Sequence, residues 1–334
     1  MNIKTISSAL PNWIVDNATI EHWSGLPQTM LTNKIGVEHR HFMTSDESGT
    51  DLSERAIENL IKIEPNFDLS RIGLLIVVTQ NPDYRLPHNS ALLQSRLGLS
   101  QDTACFDISL GCSGFVYALS VAKGFMVAED INEALIVTCD PYSKCIDKTN
   151  RDVIGLFGDA ASVTWLCPDG EGALGRGDFG TDGNGAHNLI IRGGGAAHPL
   201  ANLDGNSISE LSDADYSLHM NGRAIFNFMM TRVEKTVDKC LKRNNLTRND
   251  IDLFVFHQAS QFLLETLRKR MGLSPERVPI LLSETGNTVS SSIPLVLETL
   301  MHSGKCREAT VLISGFGVGL SWASNIIRFG GSND

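Results

Sequence analysis

The chain has 334 residues, 42% of them hydrophobic and 20% charged, with a formal net charge of -10. That composition supplies a sizeable core for one large domain or two medium ones. The acidic balance excludes a general nucleic-acid surface, which needs a basic excess, and leaves only a local basic patch for an acidic partner.

Met1–Leu10 has polar residues throughout and lacks the apolar run of a secretory leader. No stretch approaches the roughly 20 apolar residues of a membrane span, so the expectation is a cytoplasmic protein with no membrane association. Helical periodicity predicts Asp51–Ile63, and a short apolar run predicts a buried strand at Ile72–Thr79. Helix Asn89–Leu97, strand Ala104–Ser109, helix Ser113–Ala128 and strands Ala134–Thr138 and Ser162–Leu166 follow. Pro168–Gly205 is rich in Gly, Asn, Asp and His and reads as a loop-rich connection. Beyond it come helix Ala224–Asn244, strand Ile251–Phe256, helices Gln261–Met271 and Ile293–His302, and strands Thr310–Ser314 and Ser324–Phe329. Strands alternating with helices predict an α/β fold with a largely parallel sheet.

A faint internal repeat runs through this order. Ile72–Thr79 resembles Ile251–His257, and Glu133–Thr138 resembles Glu308–Ile313, at nearly the same offset. The expected organisation is a first half over 1–170, a connection over 171–220 and a second half over 221–334. Two such halves packed together place several loops at one cleft. Gly175–Gly180 matches GxGxxG, but it runs into Thr-Asp-Gly-Asn-Gly rather than a helix, so it is not a dinucleotide fingerprint.

The seven cysteines are scattered and form no CxxC pair, which argues against a disulfide framework or a zinc site. Cys112 differs from the rest. It follows a predicted strand and a glycine and opens a helix, as a nucleophile does, and a helix N-terminus favours thiolate. Its expected pKa therefore lies below the free value of about 8.5. A buried structural thiol is the other reading. His257 ends a buried strand, where α/β folds place active sites, or else is a hydrogen-bonded turn histidine. Asn287, between Gly286 and a run of small hydroxyl residues, marks a tight turn. Together the three offer a nucleophile, an imidazole and an amide donor on equivalent loops.

At this point the sequence resembles the β-ketoacyl-ACP synthase III family of the thiolase fold. The matching motifs are Asp107–Leu119, His257-Gln258-Ala259-Ser260, Gly286-Asn287-Thr288, Phe157-Gly158-Asp159-Ala160-Ala161 and Gly315–Trp322. Ile35–Arg40 and Asp51-Leu52 also fit, so the likeness spans nearly the whole chain. It implies a thiolase-like α/β fold of two pseudo-symmetric halves in five layers. It also implies a decarboxylative Claisen condensation through an acyl-Cys112 intermediate, with His257 and Asn287 as hydrogen-bond donors. The substrates implied are CoA or carrier-protein phosphopantetheine thioesters, with acyl carrier protein as partner, a homodimer, and neither a metal nor a redox cofactor. An acyltransferase on the same fold, passing the acyl group to an alcohol or amine, is the alternative.

The resemblance assigns the loop Gly317, Val318 and Gly319 to the oxyanion, where the family has three glycines. It assigns Met30, Lys34, Arg151, Phe157, Ser260 and Phe316 to the substrate channel, and Leu86 to the acyl pocket across the dimer. Several of these depart from the family: Met30 stands for the Trp that stacks on the CoA adenine, Lys34 for an Arg, and Ser260 for an Asn. Leu86 stands for a Phe, and Phe262 for an Arg implicated in carrier docking. These departures imply a specialised paralogue rather than the initiator of bulk fatty-acid synthesis.

Overall fold

The computed structural model describes residues 1–199 and 211–330. Ten strands form the main sheet: β1 (Asn2–Ala9), β2 (Ile72–Val78), β3 (Ala104–Ile108), β4 (Glu133–Cys139), β5 (Ala161–Cys167), β6 (Gly172–Leu174), β7 (Asp178–Thr181), β8 (Leu253–Phe256), β9 (Thr310–Gly317) and β10 (Ser321–Phe329). Six longer helices pack on it: α1 (Gly49–Ile63), α2 (Asn89–Arg96), α3 (Gly114–Ala128), α4 (Gly222–Arg243), α5 (Gln261–Arg270) and α6 (Ser292–His302).

The sheet order is β8-β9-β10-β6-β1-β5-β4-β2-β3, with β7 added on β10. Strand pairing carries the repeat. In the first half β2 pairs β4 in parallel, β4 pairs β5 antiparallel, and β5 pairs β1 antiparallel. In the second half β8 pairs β9 in parallel, β9 pairs β10 antiparallel, and β10 pairs β6 and β7 antiparallel. Among the described residues, only the first half has a further parallel strand, β3 on β2.

The expected largely parallel sheet is therefore corrected to a mixed one. A short connection between β9 and β10 can only join antiparallel neighbours. Strand β1 was not legible as a strand. Asn2, Thr5 and Ser7 are polar yet buried at the centre of the sheet. The connection expected over 171–220 is also less loop-like than its glycines suggest. It supplies β6 and β7, and β6 joins the two half-sheets. Residues 175–180 enter β7 and not a helix, and 200–210 lie outside the described residues.

Alternation along the strands builds five layers. Leu75 and Val77 point outward to Leu52, Ile57 and Leu60 of α1. Leu74, Ile76 and Val78 point inward to Phe115, Val116 and Leu119 of α3. The other half-sheet meets the same central layer through Val255, Val311 and Ile313, where α6 adds Val296 and Leu297. On its outer face Phe254, Phe256 and Leu312 pack against α4 and α5 through Val233, Val237 and Leu264. Helix α3 turns Phe115, Val116, Ala118, Leu119 and Ala122 into this central layer and leaves Val121 and Val127 exposed. Its N-terminus and that of α6 lie on the loops that carry the candidate site.

Candidate active site

Cys112 stands between β3 and α3. The turn before it is closed by Leu110 N–H on Ile108 O at 3.0 Å, and the turn after it by Gly114 N–H on Gly111 O at 2.7 Å. Ser113 Oγ shares a 2.7 Å hydrogen bond with Ser321 Oγ, which itself donates to Val318 O. That chain fastens the start of α3 to the Gly315–Leu320 segment. The approach is tight enough to require glycine. A Cβ on Gly315 would sit 2.3 Å from Cys112 O, and one on Gly317 3.0 Å from Cys112 Sγ.

His257 follows β8, and its N–H donates to Ser314 O at 2.9 Å. The ring is 2% exposed, stands edge-on to Phe316 with centroids 5.7 Å apart, and places Nδ1 2.7 Å from Ser292 Oγ. Burial pushes its pKa down to about 3, a drop only partly offset by the Val289 backbone, so the imidazole is neutral at physiological pH.

Asn287 is held by the opposite half. Its N–H donates to Leu156 O at 2.9 Å, and its carbonyl accepts from Gly158 N–H at 3.1 Å. Gly286 permits this crossing: its φ is +66°, and a Cβ there would lie 2.9 Å from Leu156 O. Asn287 Oδ1 accepts the N–H of Val289 at 2.9 Å. Val289 has φ 52°, an uncommon backbone for a β-branched residue. With Oδ1 engaged, the amide presents Nδ2, a pure donor, as its free end.

Cys112, His257, Asn287, Phe316 and Gly317 line one cavity of about 360 Å³. Phe157, Ser260 and Phe262 line it too, and Phe262 stacks on Phe226 at 5.9 Å near the mouth. The structure therefore gathers the three chemistry-bearing residues and several channel residues in one place.

Other expectations change. The Cys112 thiol is pushed up, not down, first by burial and then by the charge of buried Asp140. A helix N-terminus contributes about 1 kcal/mol, less than one pH unit, and desolvation exceeds it. At rest the pair is thiol and neutral imidazole. Val318 faces a neighbouring cavity of about 210 Å³ that shares Tyr142 and Leu189 with the first. Gly319 lines neither cavity, so only Gly317 of the expected oxyanion loop stands at the thiol.

Met30, Lys34 and Arg151 do not line the cavity. Met30 and Lys34 belong to the helical stretch 28–35, whose Leu31 and Ile35 pack against Gly155. Arg151 donates to Gly25 O at 3.2 Å, which ties the loop preceding the wall residues Leu156 and Phe157 to the turn just before that stretch. Leu86 is 87% exposed and touches neither cavity.

Sequence reading missed Tyr142, Leu189 and Met229 as lining residues, and Ser292 as the partner of His257. Apolar walls carry no motif, and Ser292 was hidden in a serine run; its place five residues after Asn287 was the available signal.

Comparison with known proteins follows the same lines. The family model described as 3-oxoacyl-[acyl-carrier-protein] synthase III matches residues 106–183, and the model of its C-terminal part matches 241–329. The chain is 30% identical over 331 residues to a β-ketoacyl-[acyl-carrier-protein] synthase III of Campylobacter curvus, covering 98% of this chain and 97% of that one. It is 31% identical over 336 residues to the enzyme of that name from Staphylococcus aureus, covering 99% of each. A crystal structure of a 3-oxoacyl-(acyl-carrier-protein) synthase III superposes with a TM-score of 0.91 at 35% identity, over 98% of this chain and 99% of that one. Motif order, paired half-sheets and full-length likeness agree: the chain belongs to the β-ketoacyl-[acyl-carrier-protein] synthase III family.

Proposed function

We propose that the chain condenses an acyl thioester with a malonyl thioester, releasing carbon dioxide and leaving a β-ketoacyl thioester. The observation that carries this is the convergence of a buried thiol, a neutral imidazole and an amide with its acceptor end engaged on one cavity. Cys112 Sγ attacks the acyl carbonyl; the departing thiol takes the proton, and the acyl group stays on sulfur. Cys112 N–H and the Gly317 backbone hold the oxyanion of that step. A malonyl thioester then binds with its carbonyl oxygen between Asn287 Nδ2 and His257 Nε2. As carbon dioxide leaves, both donors stabilise the enolate, whose carbon attacks the acyl-enzyme and expels Cys112. These steps draw on the thioesters and the chain's own residues, with no metal or redox cofactor.

The active form is a homodimer joined along β3, the first half's terminal strand, whose residues are all only half-buried. Leu86, 87% exposed, reaches the partner's acyl pocket at the Val318 side. Met30, Lys34 and Arg151 flank the path of the phosphopantetheine arm of CoA or acyl carrier protein. Residues 1–170 and 221–334 are the two halves, and the chain works in the cytoplasm. Among the described residues no helix is long and apolar enough to cross a membrane. Incubation with acyl-CoA and labelled malonyl thioester tests the reading: the expected result is an acylated Cys112 by intact mass and labelled carbon dioxide. Acylation followed by transfer to an alcohol or amine without carbon dioxide would overturn it.

A further inference from the structure

We propose that Ser292 is a positioning residue for decarboxylation: its hydroxyl donates to His257 Nδ1 and so keeps the ring proton on Nε2, facing the cavity. The inference rests on the function proposed above, in which Nε2 must donate.

The geometry is local and buried. Ser292 Oγ lies 2.7 Å from Nδ1, and both residues are 2% exposed. A hydroxyl has one proton and two lone pairs, while a neutral imidazole has one donor and one acceptor nitrogen. The Gln258 N–H points at Ser292 Oγ from 3.4 Å and takes one of its two lone pairs. Of the two groups that Ser292 Oγ meets among the described residues, the Gln258 N–H can only donate and His257 Nδ1 can accept its proton. Donation in that direction leaves Nδ1 as acceptor and places the ring N–H on Nε2. The reverse arrangement would turn a bare Nε2 lone pair toward the enolate oxygen, which is repulsive.

Ser292 also has a fixed seat. It opens α6, five residues beyond Asn287, so one turn sets both the amide donor and the imidazole tautomer. Behind it lies a separate cavity of about 190 Å³, lined by Ser292, Gln258, Thr288 and Glu298. Thr288 Oγ1 is buried without a hydrogen-bond partner beside it. A water in this rear cavity can stand in for a deleted hydroxyl, so the test needs a variant that also fills the space.

The experiment uses full-length protein labelled with ¹⁵N-histidine, the His257 signal being assigned by its loss in His257→Ala. Wild type should show a neutral ring protonated at Nε2. Ser292→Ala and Ser292→Val should lose that preference. Carbon dioxide release from a malonyl thioester should fall about tenfold to a hundredfold, below the ~10²–10³ for deleting a donor outright. Acylation of Cys112 should change by less than about threefold, since it does not use the enolate donors. Ser292→Thr, which keeps the hydroxyl, should restore tautomer and rate. An Nδ1-protonated ring in wild type, held by the Val289 backbone, would overturn the inference. So would an unchanged tautomer in Ser292→Val, or equal losses in both half-reactions. If His257→Ala decarboxylates at the wild-type rate, the function itself fails; if only Ser292 lacks control of the tautomer, the function stands.

Discussion

Cys112, His257 and Asn287 on the cavity floor are 6%, 2% and 5% exposed, whereas Phe262, which lines the same cavity toward its mouth, is 57% exposed. The floor is fixed by backbone: Gly315 and Gly317 against Cys112, Ser314 O under His257, and Leu156 O and Gly158 N–H on either side of Asn287. The mouth is shaped by side chains that meet water. A floor of this kind tolerates almost no change without losing geometry, so it keeps the chemistry. The mouth can change one side chain at a time, and Ser260 and Phe262, two positions at which the resemblance implies a departure from the family, line this cavity. Reaction type is therefore read from the floor, and the substrate's handle from the mouth.

The sharpest way to break the comparison is to remove floor groups one by one. Cys112→Ala should abolish acyl-enzyme formation by intact mass, yet still release carbon dioxide from a malonyl thioester, because the enolate donors remain. Asn287→Ala should do the reverse, acylating normally while decarboxylation falls by about 10²–10³. Asn287→Asp is the more telling variant. It keeps an acceptor for the Val289 N–H but has no amide donor, so it should lose decarboxylation as fully as Ala. Normal carbon dioxide release from Asn287→Asp would show that Nδ2 is not the donor.

Burial of the floor also has a signature in stability. The His257 pKa falls from 6.5 to about 3 on folding. Between those values the unfolded chain binds a proton that the native chain refuses, so native stability drops as pH falls from about 6.5 toward 3. In His257→Gln this contribution is absent. The loss in unfolding free energy between pH 7 and pH 5 should then be smaller in the variant by roughly 2 kcal/mol. Asp140 and Asp159, each raised to about 6 by burial, act in the opposite sense between about 3.8 and 6. They are present in both proteins and cancel in the difference. Denaturant titrations at the two pH values give the comparison, and equal losses would mean that His257 titrates normally in the native state.

The same division explains what was legible in the sequence. Cys112 and Asn287 stood out because each needs a glycine before it and small residues after it, and His257 because it ends a buried strand. The half-repeat was legible too, since β2 with β8 and β4 with β9 keep one hydrophobic period. Strand β1 escaped because its polar residues are buried by position in the sheet rather than by composition. The thiol's direction of shift escaped too: a helix end is visible in sequence, but the depth of a cavity is not. Tyr142, Leu189 and Met229 come from distant segments, and only packing brings them to one wall.

The smallest effect is expected at Met30, exposed and outside the cavity lining, and it tells CoA from carrier protein. The resemblance sets Met30 at the place of the Trp that stacks on the CoA adenine, on the stretch packed against Gly155 and, through Gly36, against Gln261 at the start of α5. A methionine offers an apolar contact but no flat face for a base. Base stacking on an aromatic ring contributes about 1–3 kcal/mol, and the lower end applies at so exposed a position. Met30→Trp should therefore lower KM for acyl-CoA by roughly fivefold, the equivalent of about 1 kcal/mol, with kcat unchanged. A thioester on acyl carrier protein has the same pantetheine arm but no adenine, so its KM should not move. The floor predicts no change in carbon dioxide release per turnover for either substrate. If KM moved equally for both thioesters, Met30 would be contacting the shared arm. If it moved for neither, the adenine would not lie over this helical stretch at all.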